Sequence, residues 1–331
     1  MVRGMAKKRS KRTGGRPGGG RDPRAVFIDR VANIFDVPPA EAEALASTPL
    51  KQSIRVNTLS TRPRADIEAD LAALGVERAP IAWAPDCFHL HSPKALVSES
   101  ALFANGDVYI QNAASFIPPL ALDARPGQRI LDLCAAPGGK SAHIAAITNN
   151  TARLWLNDGI PARIAKLEEV IGLLGVNAET ITTHPAQYAD KFIEAAFDRI
   201  LIDAQCTGEG MVDLSRAGAL RYWSLERIRK YSRLQQRMLM SAWKLLKPGG
   251  LLVYSTCTFA PEENEAPVSH LVKHRDDADL EPIPLDVPGE TPGRTNWEGA
   301  NYEPALTHAM RIRPSEFLEG FFTARIRKAA D

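Results

Sequence analysis

Cysteine is scarce in this 331-residue chain: there are four, Cys87, Cys134, Cys206 and Cys257, far apart and in no CxxC pair. That excludes a disulfide framework and a zinc knuckle. No apolar segment follows the basic start MVRGMAKKRSKRTGG, so a secretory signal is not expected. No run of about 18 apolar residues could span a bilayer as a helix, so no membrane partner is expected and cytoplasm is the default location. Two nucleotide signatures are missing as well. There is no G-x-G-x-x-G, and Gly139-Lys140-Ser141 fails as a P-loop because Cys134 stands where the first glycine must turn. His270 and His274 lie four apart without the glutamate of HExxH or a third ligand, so they are taken as a solvated pair and no metal is expected.

Hydrophobic content of 44% and charged content of 24% are those of an ordinary globular protein. The net charge of +2 hides an asymmetry, since residues 1–24 carry nine Lys or Arg against Asp22 alone and the remainder is acidic. A Gly-rich basic tail of this kind cannot bury enough apolar surface to fold, and its charge attracts phosphate backbones. A merely solubilising extension is the alternative.

Residues 25–119 have a mixed texture expected to form a small α/β lobe. It holds a helix at 25–35, the extended run SIRVNTL at 53–59, and a helix from Pro63 to Leu74 stopped by Gly75. From residue 120 onward, apolar strands alternate with amphipathic helices: RILDLCA, RLWLND, TITTH, DRILIDA and GGLLVYSTC each precede a helical stretch or turn. Such alternation implies a parallel sheet covered on both faces, a doubly wound, Rossmann-like α/β domain. The closing MRIRPSEFLEGFFTARIRK is expected to form an antiparallel hairpin on the sheet edge, turning at Glu319-Gly320.

In open α/β sheets ligands bind beyond the carboxyl ends of the strands. The first strand there leads into Cys134, Ala135, Ala136, Pro137, Gly138, Gly139 and Lys140, where glycine lets a ligand approach the backbone and the next helix offers free N–H groups. The second strand ends at Asp158, at the distance that puts a carboxylate on ribose hydroxyls, although helix capping is an alternative role. The fourth and fifth strands end in DAQCTGEG, with Asp203 and Cys206, and in YSTCT, with Cys257. One buried cysteine is usually a small hydrophobe, but two leaving adjacent strands beside a carboxylate suggest thiolate chemistry. Carbon 5 of cytosine is a poor nucleophile, whereas a thiolate added at carbon 6 makes an enamine whose carbon 5 can attack a methyl donor.

These motifs resemble the RNA cytosine-5 methyltransferases of the bacterial Fmu/RsmB type and the eukaryotic Sun type, over roughly residues 45–328. The resemblance rests on CAAPGGK at 134–140, Asp158, DAQCTGEG, YSTCT followed by PEENE, and GFFTARIRK. It implies a class I methyltransferase fold and S-adenosylmethionine held by residues 134–140 and Asp158. It further implies that Asp203 contacts cofactor and base, Cys257 attacks carbon 6 and Cys206 releases the product. RNA is the implied partner, with rRNA favoured over tRNA. Gln205 stands where the family usually has proline, and Pro185-Ala186-Gln187 replaces its third-strand aspartate, so Gln187 is the candidate to meet the adenine amino group. DNA cytosine-5 methyltransferases use a Pro-Cys nucleophile that is absent here. A non-catalytic RNA-binding assembly factor is the rival from another class.

Overall fold

The computed structural model describes residues 22–330. The basic tail lies outside them up to residue 21; its last positions do not belong to it, because Pro23 and Arg24 already open the first helix. Asp22 caps that helix, accepting the Arg24 N–H at 3.1 Å. Helices α1 (Pro23–Phe35) and α2 (Pro39–Leu45) pack through Phe27, Val31 and Ala42 on Leu214, Phe259 and Trp297.

The next stretch holds β1 (Ser53–Val56), α3 (Arg64–Ala73), β2 (Arg78–Pro80), β3 (Cys87–Leu90), the short α4 (Ala95–Ser98) and α5 (Ala101–Ala104), and β4 (Val108–Gln111). The strands form an antiparallel sheet in the order β2-β3-β1-β4. Ile67 and Leu71, four apart on α3, share one face and bury against Ile54, Val56, Phe88 and Leu90. The expected SIRVNTL strand is shorter than its pattern, because Asn57 turns the chain: its side-chain carbonyl accepts the Leu59 N–H while its amide donates to Gly106 O and Leu174 O.

The second sheet is built from β5 (Arg129–Asp132), β6 (Arg153–Asn157), β7 (Ala178–Thr182), β8 (Phe197–Asp203) and β9 (Leu246–Thr256). Helices α6 (Ile117–Ala121), α7 (Gly139–Ile147), α8 (Pro161–Leu173), α9 (Leu225–Leu245) and α10 (Glu265–His274) flank it. After them come β10 (Ala278–Glu281), β11 (Glu290–Pro292), the small pair β12 (Asn296–Trp297) and β13 (Ala300–Asn301), then β14 (Met310–Ile312) and β15 (Phe321–Lys328). The order is β11-β14-β15-β9-β8-β5-β6-β7, parallel from β9 to β7. Alternation along the strands feeds two cores: Leu201 and Val253 face α7 and α8, whereas Ile200, Ile202, Leu252 and Tyr254 face Met238, Leu239 and Trp243 of α9. Each such aliphatic side chain contributes about 1.5–3 kcal/mol by leaving water.

The closing hairpin is not on the sheet edge. β15 lies inside the sheet, antiparallel to β9 on one side and to β14 and β10 on the other, and β11 covers β14. Its run FFTARIRK is buried along most of its length, which a strand covered on both faces requires. Residues 313–320 form a loop longer than the expected tight turn.

Candidate active site

β8 and β9 pair in parallel with Asp203 opposite Ser255, so the segments leaving them emerge side by side. The two thiols meet there: Cys206 Sγ and Cys257 Sγ are 3.4 Å apart, both half-buried. The hydrogen bond to Cys257, then burial, push the Cys206 thiol up, so Cys206 holds its proton. Asp203 is gripped on both oxygens. Ser255 donates to Oδ1 at 2.9 Å and the Lys140 ammonium to Oδ2 at 2.7 Å. Burial works against the Lys140 charge, but Asp203 outweighs it and holds the ammonium's pKa up. The cysteines, Asp203 and Lys140 named from sequence are thus brought together.

A buried polar scaffold fixes both cysteine loops. Glu263 of the PEENE run, fully buried, accepts the Thr207 N–H at 3.1 Å, the Thr207 hydroxyl, and the Gln235 amide at 3.1 Å. Burial pushes its carboxyl up to about 8. Gln235 also donates to the Gln205 carbonyl at 2.9 Å. A side chain from α9 therefore restrains the segment where the family usually has proline. Thr258 bridges to Thr207 and Glu209, Gly210 N–H donates to Cys257 O at 3.0 Å, and Arg311 pairs with Glu265 at 2.6 Å beneath them.

Beside the thiols the strand ends enclose a cavity of about 110 Å³ lined by Cys134 to Pro137, Gly139, Lys140, Asp132 and Asp203 on one side and by Tyr109, Gln111 and Ser115 on the other. Asp132 is 1% exposed, takes the Ser141 hydroxyl on one oxygen and leaves Oδ1 without a partner; burial pushes it up to about 7. Gln111 Nε2 is likewise unpartnered. Gly138 adopts φ 114°, which only glycine tolerates easily, and a Cβ on Gly139 would fall 2.6 Å from the Tyr109 ring, so this turn must be glycine. A free acceptor, Asp132 Oδ1, and a free donor, Gln111 Nε2, beside the N-terminus of a nine-residue helix suit a zwitterion such as the methionine end of an adenosyl ligand. Cys134 is buried in the turn wall, and burial pushes its thiol well up, out of reach of reaction.

Two expected ligands sit otherwise. Asp158 is 1% exposed and outside this cavity. It accepts the Ala136 N–H at 3.2 Å and the Ile160 N–H at 3.0 Å, and pairs with Arg163 at 3.0 Å, so it serves as turn cap and loop tie at once. Gln187 lies half-exposed in a 3₁₀ turn, Ala186–Lys191, whose leading residues pack on Gly159; it too does not line the cavity.

Sequence reasoning missed Asp132, Tyr109, Gln111 and Glu319. Glu319, 3% exposed, accepts from Asn112 Nδ2 at 2.9 Å and is raised to about 7 by burial. It lines a second, open cavity of about 500 Å³ with Gln52, Thr207, Gly208, Tyr222 and Trp223, which leads away from the Cys206 loop. Its signal was only a carboxylate beside Gly320 in an otherwise apolar run.

Residues 119–327 match the family described as 16S rRNA methyltransferase RsmB/F. The chain is 36% identical over 304 residues to a tRNA (cytosine(49)-C(5))-methyltransferase of Pyrococcus abyssi, covering 91% of this chain and 95% of that one. It is 36% identical over 314 residues to ribosomal RNA small subunit methyltransferase F of Aeromonas salmonicida, again over 91% of this chain but 63% of that relative's length. A crystal structure of a methyltransferase homolog protein from Pyrococcus horikoshii superposes with a TM-score of 0.75 at 29% identity, over 93% of this chain and 99% of the other.

Proposed function

Because the chain belongs to the 16S rRNA methyltransferase RsmB/F family, we propose that it methylates carbon 5 of cytosine in RNA, with Cys257 as nucleophile and Cys206 as the thiol that releases the product. The observation that carries this reading is the 3.4 Å thiol pair beside the Lys140–Asp203 ion pair. Cys257 gives up its proton to solvent and its sulfur attacks carbon 6, while the Lys140 ammonium stands by as a counter-charge. Asp203, immobilised by Ser255 and Lys140, holds the cytosine edge. The proton that ring nitrogen 3 takes up as negative charge develops there comes from the Lys140 ammonium by way of the Asp203 carboxylate, and returns the same way when the product forms.

S-adenosylmethionine, when bound, supplies an electrophilic sulfonium methyl for carbon 5. The residues that would hold it are the 134–140 turn with the α7 N-terminus, and Asp132. Asp158, tied to the same turn through the Ala136 N–H, is the candidate for the ribose hydroxyls. The second thiol then acts in turn. Once the Cys257 sulfur is bonded to carbon, Cys206, the thiol beside it, gives up its proton to solvent. As a thiolate it removes the carbon-5 proton, and the C–H electrons re-form the ring double bond and expel Cys257. A stacked duplex would shield carbon 6, so the substrate cytosine is single-stranded or flipped out.

The test is a pair of variants assayed with radiolabelled S-adenosylmethionine and cytosine-bearing RNA. Cys257→Ala is expected to abolish incorporation, whereas Cys206→Ala accumulates a covalent RNA–protein adduct visible on a denaturing gel. Adduct-free loss in both would overturn the assignment. Ribosomal RNA is the first substrate reading, from the family itself. Transfer RNA is the second, favoured by the end-to-end length match with the Pyrococcus relative. Bisulfite mapping of total RNA with and without this gene distinguishes them.

A further inference from the structure

The open cavity of about 500 Å³ ends, away from the thiols, at a tyrosine turned to solvent. Tyr222 is 67% exposed, and it lines the same cavity as Thr207 and Gly208, the residues following Cys206. Its orientation is imposed by its neighbour. Trp223 is pinned by its Nε1–H donating to Glu209 at 2.7 Å and by an edge-on contact to Phe27 at 5.2 Å. Ser224 then caps α9 through the Arg227 N–H. With Trp223 held inward, Tyr222 is displayed outward on a fixed backbone, and the rigidity starts at Glu209, three residues from a reacting sulfur.

Two guanidinium groups flank the ring, Arg221 at 5.2 Å and Arg227 at 6.0 Å from its centroid, and Arg227 also reaches over Tyr231 at 5.8 Å. Among the described residues neither arginine is paired with a carboxylate, whereas Arg216, which lines the same cavity, is paired with Asp213. A large exposed aromatic face bracketed by unpaired cations is poor packing for water but suits a nucleotide, whose base stacks on the ring and whose phosphates meet the guanidiniums. A peptide or lipid would not use the alternation of flat π-face and bidentate cation in this way.

We infer that Tyr222, with Arg221 and Arg227, is a stacking platform for a nucleotide neighbouring the target cytosine in single-stranded RNA. The platform rests on the RNA-methylation reading above and deepens it: the target base sits at Cys257 and Asp203, and Tyr222 holds its neighbour along the open cavity that leads away from the Cys206 loop, helping to keep the target unstacked. Because stacking tolerates every base, the platform grips the strand without reading its sequence.

The test uses the full-length protein and a seven-nucleotide RNA carrying one cytosine flanked on both sides by 2-aminopurine, whose fluorescence falls on stacking. Wild type is expected to quench it on binding. Tyr222→Ala should abolish most of the quench and weaken binding about tenfold, while Tyr222→Trp retains both. Arg221→Gln with Arg227→Gln should leave the quench in place but flatten the dependence of affinity on salt. Binding and quenching unchanged in Tyr222→Ala would overturn the platform and leave the methylation reading standing. Failure of the wild type to bind any RNA would overturn both.

Discussion

At the scale of single residues, the candidate site is held by buried acids whose pKa values burial has raised. Glu263, Asp132 and Glu319 are buried and raised to about 8, 7 and 7. A raised carboxyl binds more protons folded than unfolded. Its stabilising contribution is therefore full below its ordinary carboxylate range and is lost as pH climbs through the folded value. Stability should fall from about pH 5 to pH 8, by at most roughly 1.4 kcal/mol per pH unit for each group. Glu263→Gln keeps the shape of the side chain and removes its titration, so the melting temperature of the variant should vary less over that range than that of the wild type. Scanning calorimetry at several pH values checks this, and parallel curves for the two proteins would refute the role given to Glu263.

At the scale of elements, the loop ahead of β15 is pressed onto the turn after Cys206. Gly320 N–H donates to Gly210 O at 3.3 Å, and a Cβ on Gly210 would lie 1.8 Å from Gly320 O. Gly210→Ala must part the two segments, with an expected loss of about 2 kcal/mol and a drop in turnover. Gly172→Ala in α8 meets open space and should instead stabilise by about 0.5–1 kcal/mol. Melting temperatures and initial rates of the pair report both effects; equal behaviour would mean that the Gly210 contact does not matter. Contacts of this kind are what the sequence could not display. The thiols, Asp203 and the glycine turn were legible because each is a local cluster of letters ending a strand whose periodicity is plain. Glu319, Tyr109 and Gln111 were not, because pairing of distant segments delivers them. Nor did an extended run of letters say that β15 would be an interior strand. The setting of Gln205 was hidden for the same reason: its partner, Gln235, comes thirty residues later on the buried face of α9.

At the scale of the whole molecule, charge is divided rather than balanced. Residues 1–21 hold eight Lys or Arg, while the chain as a whole nets only +2. Removing residues 2–21 should weaken RNA binding and make the plot of log affinity against log salt shallower by roughly two units or more, if three or more phosphates are contacted. Cofactor affinity should be untouched. Binding isotherms at several salt concentrations measure it, and an unchanged slope would make the tail a bystander. The position of β15 has a consequence for the order of assembly. Residues 321–328 are synthesised after every strand they join, yet they close β9 on the side of Cys257 and bring Gly320 against the Cys206 turn. A chain still growing on the ribosome, or cut short before residue 321, leaves β9 with an open hydrogen-bonding edge and the Cys206 turn without its support. The candidate site is therefore finished late in synthesis, well after the strands that carry its two thiols have been made.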